Sequence, residues 1–73
     1  MTNRDKVLTA VQEYWRENAI QPTIRQVQSV TGINSTSTVR YHYQQLARHG
    51  AIKLIGTKPV PLTIYQLLTG ESS

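Results

Sequence analysis

Gln21–Gly50, QPTIRQVQSVTGINSTSTVRYHYQQLARHG, is a stretch whose spacing predicts two short helices joined at a sharp corner. Thr23 stands where a helix cap belongs, ahead of Ile24, Val27 and Val30 repeating at intervals of three, which predicts a helix over about 24–31. Gly32 closes it, because glycine takes the left-handed angles of a helix C-terminus without strain. Ile33 can turn back into the core, and the hydroxyl-rich run Asn34–Thr38 then opens a second helix over about 36–49, with Ser35 as the expected cap. Wound at 3.6 residues per turn, that helix puts Val39, His42, Tyr43, Leu46 and Gly50 on one side and Ser37, Arg40, Tyr41, Gln44 and Arg48 on the other. The second set holds two arginines, a tyrosine, an amide and a hydroxyl, and no acid. Such a face can meet phosphates and base edges together. Two helices separated by a short glycine-containing turn have the composition of a helix-turn-helix, although any corner between helices needs a cap and a glycine. The acid-free outer face is what favours a double-stranded DNA partner.

Before this stretch, Val7, Leu8, Val11, Tyr14 and Trp15 form one apolar stripe, which predicts a first helix over about 4–18. Thr2 or Asn3 is expected to cap it, with Asp5 in its first turn, where a carboxylate suits the helix dipole. Pro22 is expected to end it by driving the preceding residue away from helical angles. Glu13 and Glu17 interrupt the polar face, which argues against a membrane-surface helix. After Gly50 the period changes. Ala51–Ile55 and Leu62–Leu68 are rich in β-branched and aromatic residues around the turn-forming Gly56–Pro61, so a two-stranded hairpin is expected over about 52–68, with Lys58 near its tip. The prolines are expected to keep that tip out of the ladder. Gly70–Ser73 is expected to be a frayed tail. The fold class this predicts is α+β, mainly α: a single three-helix winged helix-turn-helix with a C-terminal β-hairpin wing.

A chain of 73 residues buries only about 60% of the surface it exposes when unfolded, leaving little room for an enclosed active site. Without cysteine, neither disulfides nor thiolate metal sites supplement the core. No apolar run reaches signal-peptide or membrane-span length, so a cytoplasmic, nucleoid-associated protein is expected. The formal charge of +4 is unevenly spread: Asp5, Glu13, Glu17 and Glu71 lie towards the ends, while Arg25, Arg40, Arg48, Lys53 and Lys58 occupy an acid-free centre. That field attracts a polyanion, though it also serves simply to keep a small protein in solution. His42 lies on the apolar side with no acid or cysteine near it, so no metal, cofactor or catalytic role is assigned to it, and Ser35 and Ser37 lack a base. No enzyme and no small-molecule substrate are expected.

The blocks Pro22-Thr23-Ile24-Arg25-Gln26-Val27, Thr31–Val39, Leu46-Ala47-Arg48-His49-Gly50 and Thr57-Lys58-Pro59 agree in order and spacing with a known family. From about Asp5 to Leu68 the chain resembles the N-terminal DNA-binding domain of the LexA repressors. The resemblance implies a third helix docked in the major groove that reads bases from its first two turns, which fall here on Ser35, Ser37, Thr38, Arg40 and Tyr41. It also implies a wing lying along the backbone across the minor groove, placing Lys53 and Lys58 near phosphates. LexA proteins continue into a domain with a self-cleavage site, a Ser/Lys pair and the main dimer surface, whereas this chain stops at Ser73. For a chain that is the whole protein, release by self-cleavage is therefore not expected, and a homodimer on a palindromic site would have to form through the first helix, the wing or the DNA; the alternative is a domain excised from a longer protein.

Together these considerations assign base contact to Ser37, Thr38, Arg40 and Tyr41, and backbone contact to Arg25, Ser35, Gln44, Arg48, Lys53 and Lys58. Arg40 leads because a guanidinium can grip guanine through two acceptors. The predicted function is a sequence-specific transcriptional regulator, a repressor by preference. Two alternatives fit the same residues: a winged-helix module docking an acidic protein, and a replication or mobile-element protein bound to its own DNA.

Overall fold

The computed structural model describes residues 2–70 and contains four helices and one hairpin. Helix α1 spans Asn3–Asn18, α2 Ile24–Thr31 and α3 Thr36–Arg48. They are followed by β1, Ile52–Ile55, β2, Lys58–Pro61, and α4, Leu62–Thr69. Local chemistry starts each of the first three helices. The Thr2 hydroxyl accepts from the Asp5 N–H at 3.1 Å while the Asp5 carboxylate accepts from the Thr2 N–H at 3.3 Å. Thr23 and Gln26 form the same reciprocal pair at 3.2 and 2.8 Å, and the Ser35 hydroxyl accepts from the Thr38 N–H at 3.3 Å. Each arrangement satisfies donors that the first turn of a helix leaves without partners.

Left-handed residues close α1, α2 and α4, whereas α3 is closed by His49 at φ −82°. Gly32 ends α2 at φ 76°, as its position in the sequence predicts, and its N–H reaches the Gln28 carbonyl at 2.8 Å. Helix α1 ends at Asn18, as expected, and the residue that closes it is Ala19, with φ 58° and its N–H on the Trp15 carbonyl at 2.8 Å. A left-handed residue that carries a Cβ costs about 1–2 kcal/mol.

The core is built of small branched side chains: Val7, Ala10 and Val11 of α1, Val27 of α2, Val39, Tyr43 and Leu46 of α3, and Ile52 of β1. Trp15 lies half-buried against this cluster and Tyr14 is also half-buried, so of the aromatics on α1 and α3 it is Tyr43 that fills the core. Val30, expected to pack with Ile24 and Val27, is 67% exposed. Two intervals of three carry it past the inner side of so short a helix, because 3.6 and 3 residues drift apart.

The hairpin is shorter than expected, and its second half is a helix. β1 pairs antiparallel with β2 in the register Ile52↔Pro61, Lys53↔Val60, Leu54↔Pro59 and Ile55↔Lys58, around the two-residue loop Gly56-Thr57. Gly56 has φ 65° and Thr57 is not left-handed, the pattern of a II′ turn. Pro59 and Pro61, expected outside the ladder, are inside it. Ile55 and Lys58 flank the loop as a bonded pair, so alternation leaves both prolines at non-bonded positions, where a missing N–H costs nothing. The bonded sequence continues past the strands, since the Leu62 N–H donates to the Ala51 carbonyl at 3.2 Å. Leu62–Thr69, expected as a strand, then winds into α4, which packs on both strands and ends at left-handed Gly70, φ 71°. The rest of the tail expected after Gly70 lies outside the described residues. Among those described, no helix is long and apolar enough to cross a membrane.

Candidate nucleic-acid interface

Helix α3 buries Val39, Tyr43 and Leu46 and leaves Ser37, Arg40, Tyr41, Gln44 and Arg48 exposed. These five residues thus lie on one open side of a 13-residue rod, as helical periodicity predicts. Thr38 is half-buried at the edge of this face, with its N–H engaged by Ser35. The N–H groups of Thr36 and Ser37, together with the Ser35 hydroxyl proton, complete a donor-rich start to the helix. No acid interrupts the face, and none of its cations is in an ion pair among the described residues.

The wing borders one flank. Arg40 and Tyr43 share a cleft of about 150 Å³ with Pro22, Thr23 and Ile24 from the start of α2 and Thr57, Lys58 and Pro59 from the hairpin. An adjoining cleft of about 140 Å³ runs between Arg40, Tyr43 and Gln44 on α3 and Leu54, Gly56 and Thr57 on the wing. The fold therefore brings Arg40, Gln44 and Lys58 into one neighbourhood. Thr57, which sequence reasoning left out, joins them because a two-residue loop puts it at the very tip.

On the other flank, Tyr41 packs edge-on against His42, ring centroids 5.5 Å apart at 69°. Tyr41 remains 56% exposed and faces away from the wing, while His42 is half-buried beneath it. Arg25 is exposed in the first turn of α2. Lys53 is not brought into the α3 face. Strand alternation sends Ile52 to the core and Leu54 to the cleft, so Lys53 points to the opposite side of the hairpin, where its ammonium sits 5.9 Å from the centre of the Tyr65 ring of α4. Alternation along the strand already sets Lys53 opposite Ile52 and Leu54, but its place beside Tyr65 was hidden because α4 was itself expected to be a strand.

Tyr43 ties the interface to the core. It is 3% exposed, and its hydroxyl is buried without a hydrogen-bond partner among the described residues. Burial pushes its pKa from 10.0 up to about 12, since the phenolate would lose more hydration than the phenol. Among the described residues there is no group of three or more His, Asp or Glu able to hold a metal ion.

A helix-turn-helix followed by a β-hairpin, with the outer face of its second helix open and basic, defines the winged helix-turn-helix class. Residues 1–60 match the model of the LexA DNA binding domain, and the chain belongs to that family. It is 34% identical to a LexA repressor of Carboxydothermus hydrogenoformans over 59 residues, covering 81% of this chain and 29% of that protein. A LexA repressor of Oenococcus oeni is 34% identical over 58 residues, 80% of this chain and 27% of the relative. One from Pediococcus pentosaceus is 32% identical over 66 residues, 90% and 32% respectively. The chain thus spans less than a third of the length of these curated relatives. No solved structure matches it significantly.

Proposed function

We propose that this protein is a sequence-specific transcriptional repressor that binds double-stranded DNA through α3 in the major groove. Arg40 grips a guanine, Tyr41 packs on a thymine methyl, and Ser37 and Thr38 add hydroxyl contacts to neighbouring base edges. Gln44 and Arg48 lie further along the helix and meet the backbone, as do Arg25, Ser35 at the helix start and Lys58 at the wing tip. Lys53 contributes at longer range, from the far side of the hairpin. The protein acts in the cytoplasm on the nucleoid, without catalysis, and pairs as a homodimer on a palindromic site. Pairing follows from scale: a single module covers only about 600–1,000 Å² of its surface on DNA, too little for tight binding alone.

The observation that supports this most directly is the open, acid-free face of α3 beside the wing. Selection of bound duplexes from a random pool tests it. Enrichment of a two-fold symmetric sequence is the expected result, and a pool that stays random, with no binding to any duplex at low salt, would favour a protein-docking module instead.

A further inference from the structure

Resting on the DNA-binding assignment above, we infer that Arg4, in the first turn of α1, is a second backbone clamp, gripping phosphates on the side of α3 opposite the wing. Thr2, Asn3 and Arg4 border a shallow depression of about 240 Å³ whose other wall is Tyr41, His42 and Gln45 of α3. The positions around α3 make the two flanks comparable. Setting Arg40 at 0° and advancing 100° per residue, the open face centres near 60°, on Ser37, Gln44 and Arg48. The wing lies beside Arg40, Gln44 and Tyr43 on one side of that centre, and the first turn of α1 lies beside Tyr41, Gln45 and His42 on the other.

A helix seated in a groove has a phosphate strand on each side, so a cation is useful on both flanks. Lys58 supplies one on the wing side. On the far side, Arg4 is the only cation among the residues around the depression, and it is exposed with no ion pair among the described residues. The neighbouring acid does not neutralise it directly, because the Asp5 carboxylate is turned onto the Thr2 N–H. Tyr41 is braced against His42, which keeps the reading face and this flank in a fixed relation. Nothing in the sequence pattern alone singles Arg4 out, since it belongs to a helix expected only to pack.

The test measures binding of the full chain and its Arg4→Ala variant to a selected duplex and to a random one across a salt series. Arg16→Ala is the control, removing the same charge from the far end of α1, where Arg16 lies 4.0 Å from Glu13. Loss of one phosphate contact lowers the salt slope by about one unit and weakens binding about eightfold at 0.1 M salt, equally on both duplexes. That result for Arg4→Ala, with Arg16→Ala unchanged, is expected. An Arg4→Ala slope equal to that of the parent, or an equal drop in both variants, overturns the inference while leaving the DNA-binding assignment intact. Absence of DNA binding by the parent chain overturns both.

Discussion

The indole N–H of Trp15 donates to the carbonyl of Pro59 at 3.1 Å, joining the last turn of α1 to the hairpin across 44 positions of sequence. The bond depends on the strand register. Pro59 stands at a non-bonded position, so its carbonyl points away from Leu54 and is free for another donor. The same residue lines the cleft beside Arg40, so this bond helps to set where the wing stands relative to the face of α3.

Trp15→Phe keeps an aromatic ring but leaves the Pro59 carbonyl without its partner in a partly buried place. A loss of about 1–3 kcal/mol in unfolding free energy is expected, seen as a lower urea midpoint with an unchanged slope. An unaltered midpoint would mean that water replaces the indole there at no cost.

Tyr43→Phe removes a buried hydroxyl that has no partner among the described residues, and is expected to be neutral or to stabilise by about 0.5–1 kcal/mol near neutral pH. The pH dependence has a definite sign. The folded protein holds the phenol proton up to about pH 12 and the unfolded chain releases it from 10.0, so between these values the unfolded state binds fewer protons and stability falls as pH rises. The stability is fully present below pH 10.0, and thermal unfolding followed from pH 9 to 11 should show a shallower decline in the phenylalanine variant.

Arg40→Ala and Lys58→Ala separate reading from gripping. Loss of Arg40 is expected to erase about 1–3 kcal/mol of preference at one base pair, whereas loss of Lys58 weakens all duplexes alike and lowers the salt slope by about one. Gel shifts with specific and random duplexes measure both, and equal loss on the two duplexes for Arg40→Ala would remove it from the base-contacting set.

Ala19→Gly relieves a left-handed residue that carries a Cβ. The gain is partly offset by the greater freedom of glycine in the unfolded chain, leaving about 0.5 kcal/mol of stabilisation, or roughly 2–4 °C in melting temperature. A lower melting temperature would show that the Ala19 side chain contributes more by packing than it costs in strain.

Much of the helical part was legible because its signals are local. Thr23, Ser35 and Gly32 act on atoms within four residues of themselves, and the period of α3 separates Val39, Tyr43 and Leu46 from Arg40, Gln44 and Arg48 without reference to any other element. The C-terminal part was harder. Leu62–Thr69 contains residues that suit a strand, but a strand also needs a partner edge, and the pairing of β1 is taken up by Lys58–Pro61. The prolines misled for a related reason, since whether a missing N–H matters depends on which way the ladder turns it. The direction of Lys53 followed the same course, decided by strand parity and by the Tyr65 ring of α4.

By itself, the amino-acid order determined the helix-turn-helix, the acid-free side of its second helix and the family blocks, because caps, periodicity and charge are properties of neighbouring residues. Only the tertiary structure decided where the wing stands, which cations gather around Arg40, that Ala19 ends α1, and that the start of α1 flanks Tyr41. Those relations are made by residues far apart in sequence, and the packing and ladder geometry that bring them together leave no trace in local pattern.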